Sequence, residues 1–429
     1  MEFVFTPEQQ MIQDTARQFL DACSNSGHVR DAMTKTTGYD AELWQKICHE
    51  MYWQAIHIPE QYGGLGLGCV EMAILFEQMG WRLLCSPYFS TVALATNALL
   101  VAGTEAQKQH YLPRIADGSL TATLAYIGHA SHGDNNSKDR YHNGWHTDSV
   151  TVTALPQFNQ HTVITGYTLS GTLHYVPHGH TADLLVIAAR LPDSSGAEVV
   201  SLFLLPSHLQ GVEVQWTPSM DQTRPLAQIT LNNVIIPADN VMLQSEYAWP
   251  LLEKTLRLAC VALAAEQMGG AQQALDLTLE YTKERKQFGR AIASFQAIKH
   301  RMADMMLQVE SARSAVYYAA CIADEALQYH NPAAATDSAS QSDPLSTGNA
   351  RHSSLNHSLA DELPLASSLA KAYCSDAYFH CAAESIQLHG GVGFTWEYDP
   401  HLYFKRAKSS ETLLGNASFH REKIAQIIL

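Results

Sequence analysis

The sequence predicts an α+β fold in three parts, ordered helices, β-domain, helices. Residues 6–120 repeat apolar positions at helical spacing. Residues 121–240 switch to short β-branched runs separated by Gly, Pro, Asp and Asn. From Trp249 onward the helical spacing returns. At 429 residues the chain is too long for one core, so an N-terminal helical domain (1–120), a middle β-barrel or sandwich domain (121–240) and a C-terminal helical bundle (241–429) are expected.

Thr6-Pro7-Glu8-Gln9 opens the first helix: Thr6 is the N-cap, Pro7 takes the first position and Gln9 completes a capping box. Met11, Ile12, Ala16, Phe19 and Leu20 follow at helical spacing. Turn-formers crowd residues 58–66 (IPEQYGGLG) and exclude a helix there, and the helical pattern resumes over 70–80. The middle part carries expected strands at 150–153, 163–169, 184–189, 199–205 and 228–236. In the last part, helices are expected over 256–281, 295–318 and 366–388. The first holds Gly269-Gly270, which marks close approach of another helix. The third repeats Leu369, Tyr373, Ala377 and Cys381 at four-residue steps, and residues 331–362, rich in Ser, Ala, Asn and Asp, read as a flexible insertion.

A net charge of −15 argues against nucleic acid or an anionic membrane as the main partner. No run of eighteen apolar residues predicts a membrane span. The N-terminus lacks the basic and apolar regions of a signal peptide, and eight cysteines without a C-x-x-C pair read as buried thiols. A cytoplasmic protein is expected.

Two segments carry chemistry. In the first, residues 284–290 (ERKQFGR) precede Phe295-Gln296 at the end of a long helix. Lys283, Arg285 and Lys286 either favour the helix C-terminus electrostatically or hold a diphosphate, for which the planar fork of arginine is suited. In the second, Gly390-Gly391-Val392-Gly393 ends a helix and lets the main chain approach an anion.

Residues 281–289 with Phe295-Gln296, residues 387–394 (QLHGGVGF) and residues 58–66 together resemble three ordered signatures of the acyl-CoA dehydrogenase family. The resemblance covers nearly the whole chain. It implies that fold, with a C-terminal four-helix bundle. It also implies FAD bound non-covalently at subunit interfaces of a tetramer, and an acyl-CoA thioester as substrate. An acid takes the proton next to the thioester, the neighbouring carbon gives hydride to the flavin, and an electron-transferring flavoprotein receives the electrons. By position, Arg285, Gln287 and Phe288 would touch the diphosphate and adenosine part of FAD in the adjacent subunit, Gln387, Gly390 and Gly391 would form its backbone cradle, and Tyr175 would lie by the flavin ring.

The family pattern then breaks. Members with a C-terminal base show Tyr-Glu-Gly-Thr after the cationic run, where this chain has Leu413-Leu414-Gly415-Asn416. Another branch places the base on the long helix, at the position of Ala259. Glu411, three residues before Leu414, and Glu266, seven after Ala259, are the replacement candidates. Glu411 is the nearer; it reads equally as a solvated acid beside Lys408 and Arg406. The alternative is a base-less, FAD-binding partner in a heteromer with a homologous chain. Trp-Ile-Thr-Asn-Gly becomes Tyr175-Val176-Pro177-His178-Gly179, and the segment that lines flavin and CoA becomes residues 126–134 (YIGHASHGD). The histidines around it, among them His178 and His180 placed on one strand face, lack the cysteines and regular spacing of a zinc site, so no metal is expected.

Overall fold

The computed structural model describes residues 4–128, 147–192, 200–242, 248–328 and 358–429. The Thr6 hydroxyl accepts from the Gln9 N–H at 3.2 Å while the Gln9 side chain accepts from the Thr6 N–H at 3.0 Å, so the helix opens as its sequence requires. The first layer comprises α1 (Pro7–Cys23), α2 (Ser26–Thr34), α3 (Ala41–Lys46), α4 (Cys69–Trp81), α5 (Asn97–Ala102) and α6 (Glu105–Ala116). A fully buried π-helical stretch, Phe89–Thr96, leads into α5. Residues 58–66 form a tight turn holding a single 3-10 turn, Glu60–Tyr62. Gly63 (φ 81°) and Gly66 (φ 64°) take left-handed backbone there, and any side chain on Gly64 would strike the Ile58 carbonyl.

The middle of the chain is one eight-stranded mixed sheet: β1 (Ala122–Ala125), β2 (Thr153–Phe158), β3 (Ile164–Pro177), β4 (Leu184–Arg190), β5 (Val200–Pro206), β6 (Val212–Thr217), β7 (Leu226–Pro237) and β8 (Val241–Met242). Its order is β6-β7-β3-β2-β4-β5-β8, with β1 parallel to β4. Side chains alternate between two cores. Leu184, Val186, Ala188, Leu202 and Leu204 face the helices, whereas Leu185, Ile187, Ala189, Phe203 and Leu205 fill the core within the β-domain. That double burial explains why β4 and β5 read as continuous apolar runs. The sequence reading missed β1 and β6. It began β2 too early, at 150, and cut β3 short. His178 and His180 sit in the turn after β3, not on a strand face as expected, and their rings stack 6.3 Å apart. The histidines in 129–146 lie outside the described residues.

The last part contains α7 (Ala248–Glu284), a hairpin of β9 (Lys286–Gln287) and β10 (Arg290–Ala291), α8 (Gln296–Gln328), α9 (Leu363–His389), α10 (Pro400–Thr412) and α11 (Ala417–Ile428). Burial of α7 is unbroken from Leu258 to Ala271, as befits a helix packed on every side. Gly269 and Gly80 make its crossing with α4 possible: a Cβ on Gly269 would collide with the Glu77 carbonyl, and one on Gly80 with the Glu266 carbonyl. Of Lys283, Arg285 and Lys286, only Lys283 lies in the helix, because the hairpin begins at Lys286. In the α9 stripe, Ala377 and Cys381 are buried but Leu369 and Tyr373 face outward. The expected insertion at 331–362 falls outside the described residues except at its end, where Ser358 caps an ordered 3-10 turn, Leu359–Glu362. Among the described residues no helix is long and apolar enough to cross a membrane.

Candidate active site

A carboxylate in the middle of α7, within an otherwise apolar stretch, requires a cation from elsewhere in the chain. Two arrive. Arg224, in the loop before β7, bonds Glu266 Oε1, and Arg406 from α10 bonds the same oxygen at 2.6 Å. Arg406 also reaches Asp221 Oδ2 at 3.2 Å and the hydroxyl of Thr223 at 2.8 Å, and Arg224 reaches Ser410 Oγ at 3.2 Å. All four charged groups are buried. Burial alone would raise the Glu266 carboxyl, but the two guanidiniums outweigh it and hold its pKa below the usual value.

This cluster borders a cavity of about 10 Å³, room for about one water molecule, at the junction of α4, the Phe89 stretch, the β-domain, α7 and α10. Phe76, Met79, Leu84 and Phe89 supply its apolar wall. His178 also lines it; desolvation, then His180 and the two arginines, push its pKa well below the ordinary value, so it is neutral. The sequence reading missed Asp221, Arg224 and the burial of Arg406, which it had placed beside Glu411. The available signal was Glu266 itself, an acid with no basic neighbour one helical turn away in an Ala- and Leu-rich stretch.

Glu411 lies differently. It sits on the outer side of α10, where its Oε2 pairs with Lys408 Nζ at 2.8 Å. Leu414 follows in a turn at φ 60°, buried, and its carbonyl accepts from His420 Nε2 at 2.9 Å and from the Cys260 thiol at 3.8 Å. Cys260 adjoins Ala259 in α7, so the two positions singled out for a base lie on segments that touch, and both are buried and apolar. Beneath the turn, the buried Lys371 donates to Ser375 Oγ at 2.9 Å and to the carbonyls of Glu411 at 3.2 Å and Gly415 at 2.9 Å. Burial pushes the Lys371 pKa down to about 8, and the hydrogen bonds it makes go to uncharged oxygens.

The expected FAD contacts lie elsewhere. Arg285, Gln287 and Phe288 are exposed on and beside the β9–β10 hairpin, and Phe288 is 91% exposed at φ 53°. Gln387, Gly390 and Gly391 are exposed at the end of α9. The two groups meet at one end of the bundle, where Tyr281 stacks on His389 at 4.3 Å and donates to the His389 carbonyl at 3.2 Å. A Cβ on Gly390 or Gly391 would meet nothing within 4 Å, and the Arg285 side chain forms no ion pair among the described residues. An open main-chain cradle beside an unpaired guanidinium and an exposed ring fits a diphosphate-containing cofactor reaching in from outside. From Glu266 to Arg285 the helical rise amounts to roughly 28 Å, so this end is remote from the cavity. Tyr175, at φ 57° and 60% exposed, lies at the end of β3, where the Thr123 hydroxyl bonds the Pro177 carbonyl at 2.8 Å.

Comparison with known proteins agrees with this fold. Residues 6–119 match the family model of the acyl-CoA dehydrogenase N-terminal domain, and residues 249–337 and 349–429 that of the C-terminal domain. The chain is 30% identical over 416 residues to acyl-CoA dehydrogenase IpdE2 of Mycobacterium tuberculosis, covering 95% of this chain and 93% of that protein. Among solved structures, it superposes on a variant of the Tcur3481-Tcur3483 steroid ACAD with a TM-score of 0.73 at 26% identity, covering 98% and 97% of the two chains. Butyryl-CoA dehydrogenase from Megasphaera elsdenii shares the fold with a TM-score of 0.80 at 22% identity, covering 100% of each.

Proposed function

The chain belongs to the acyl-CoA dehydrogenase family, flavin-dependent oxidoreductases of acyl-CoA, and on that premise we propose that it is the base-less subunit of a heteromeric member. One observation carries the reading: Ala259 and Leu414, where a base would sit, are buried and apolar, while the FAD-facing end is open. Glu411 is engaged with Lys408 on the outer side of α10, and Glu266 is held ionised by Arg224 and Arg406, which weakens it as a proton acceptor. A homologous chain then supplies the acid that takes the proton next to the thioester.

The role of this chain follows from its exposed end. Arg285 would hold a phosphate of FAD through its planar fork, with the main chain at Gly390 and Gly391 as a cradle and Phe288 and Gln287 toward the adenosine part. When bound, FAD supplies the hydride acceptor for α,β-dehydrogenation, and an electron-transferring flavoprotein takes the electrons onward. Tyr175 would lie beside the flavin ring. The paired name of the Tcur3481-Tcur3483 steroid ACAD is compatible with a heteromer.

Anaerobic titration with acyl-CoA, following flavin absorbance, tests the proposal. The chain alone is expected to leave added flavin oxidised, and the co-expressed pair to bleach it. One observation favours a second reading, a self-sufficient enzyme with Glu266 as base: Glu266 lines the cavity and its Oε2 carries no hydrogen bond among the described residues. In that case the chain alone bleaches flavin and Glu266→Gln abolishes the bleaching.

A further inference from the structure

Two buried side chains that face one cavity each keep an atom without a hydrogen bond. Glu266 gives Oε1 to both arginines, and its Oε2 is unbonded among the described residues. His178 is 2% exposed, and its Nδ1 has no partner among the described residues. Leaving such an atom unsatisfied costs about 1–3 kcal/mol, and native interiors seldom do so. The two come from distant parts of the chain, His178 from the turn after β3 and Glu266 from the middle of α7. Both line the cavity of about 10 Å³, and every residue around it is buried except Ser86, which is half-buried.

We infer that this cavity binds one water molecule, which bridges the Glu266 carboxylate and the His178 imidazole. Volume selects the size: a water needs roughly 10 Å³ of such space, so one fits and an organic group does not. Charge selects the class. Arg224 and Arg406 balance Asp221 and Glu266, and the imidazole is neutral, so an uncharged ligand is favoured over an ion. Hydrogen bonding selects a molecule that both donates and accepts. Water donates to Glu266 Oε2 and meets either tautomer of the imidazole. Arg224 offers a third contact, because among the described residues only two of a guanidinium's five N–H groups are used, on Ser410 and Glu266. Such a water ties the β-domain to α7, and it occupies the Glu266 oxygen that a substrate proton would need. The free Oε2 is then accounted for without making Glu266 a base. The inference does not rest on the heteromer reading, which flavin bleaching decides separately.

A high-resolution crystal structure of the purified chain, repeated on crystals pressurised with xenon, tests the site. One ordered water within roughly 3.2 Å of both Glu266 Oε2 and an imidazole nitrogen of His178 is expected, with no xenon at that position. A cavity without water density, or one that takes up xenon as dry apolar voids do, overturns the inference. His178→Leu removes one partner and leaves the four charges in place, so its structure should have lost the water. The same water at full occupancy in that variant would overturn the bridge. Should the variant not fold, the density in the wild-type chain decides alone.

Discussion

Lys371 is the residue whose behaviour this account constrains most tightly. Its folded pKa lies near 8 against 10.5 in the open chain, so between those values the unfolded chain binds the extra proton. Stability contributed by this group is therefore least below about pH 8 and recovers as pH rises toward 10.5, by on the order of 3 kcal/mol. Comparison with Lys371→Met isolates it from other titrating groups: the stability of the variant relative to wild type, measured by urea unfolding, should fall as pH goes from 7 to 10. A constant difference would mean that the ammonium is not desolvated. Glu411→Gln probes the neighbouring acid. Because Glu411 is paired with Lys408 near the surface, its loss should change stability by less than about 1 kcal/mol and leave the turnover of the assembled enzyme unchanged. A collapse of turnover would return Glu411 to candidacy as the base.

At the scale of elements, periodicity and caps located the helices well, since Thr6, the 58–66 turn and Gly269-Gly270 each act through local chemistry or a short-range steric need. The strands were read less well. β1 is four residues of unremarkable composition buried by its parallel partner β4, and β6 is a largely exposed edge strand without a fully buried residue to mark it. The candidate site was half legible. Motifs marked the exposed Arg285 and Gly390 end, whereas the four-charge cluster joins residues up to 185 positions apart, a pairing no local spacing reveals. The α4–α7 crossing gives the prediction at this scale. Gly269→Ala drives a methyl into the Glu77 carbonyl and should cost about 3 kcal/mol or more, seen as a fall in thermal midpoint. Wild-type stability in that variant would show that the helices can part without loss.

At the scale of the molecule, the described residues set a buried cluster in the interior against an exposed end. The ion cluster and apolar base positions lie inside; the hairpin and glycine cradle face outward at one end of the bundle. On the proposed reading, a second chain completes that end. Arg285→Ala should accordingly reduce the flavin content of the assembled pair at least tenfold while leaving the thermal midpoint of the isolated chain unchanged, since its side chain forms no ion pair among the described residues. The most direct test of the central claim is anaerobic titration of the isolated, flavin-supplemented chain with acyl-CoA. Absorbance of oxidised flavin that persists until the homologous chain is added is the predicted result; bleaching by the isolated chain would contradict it.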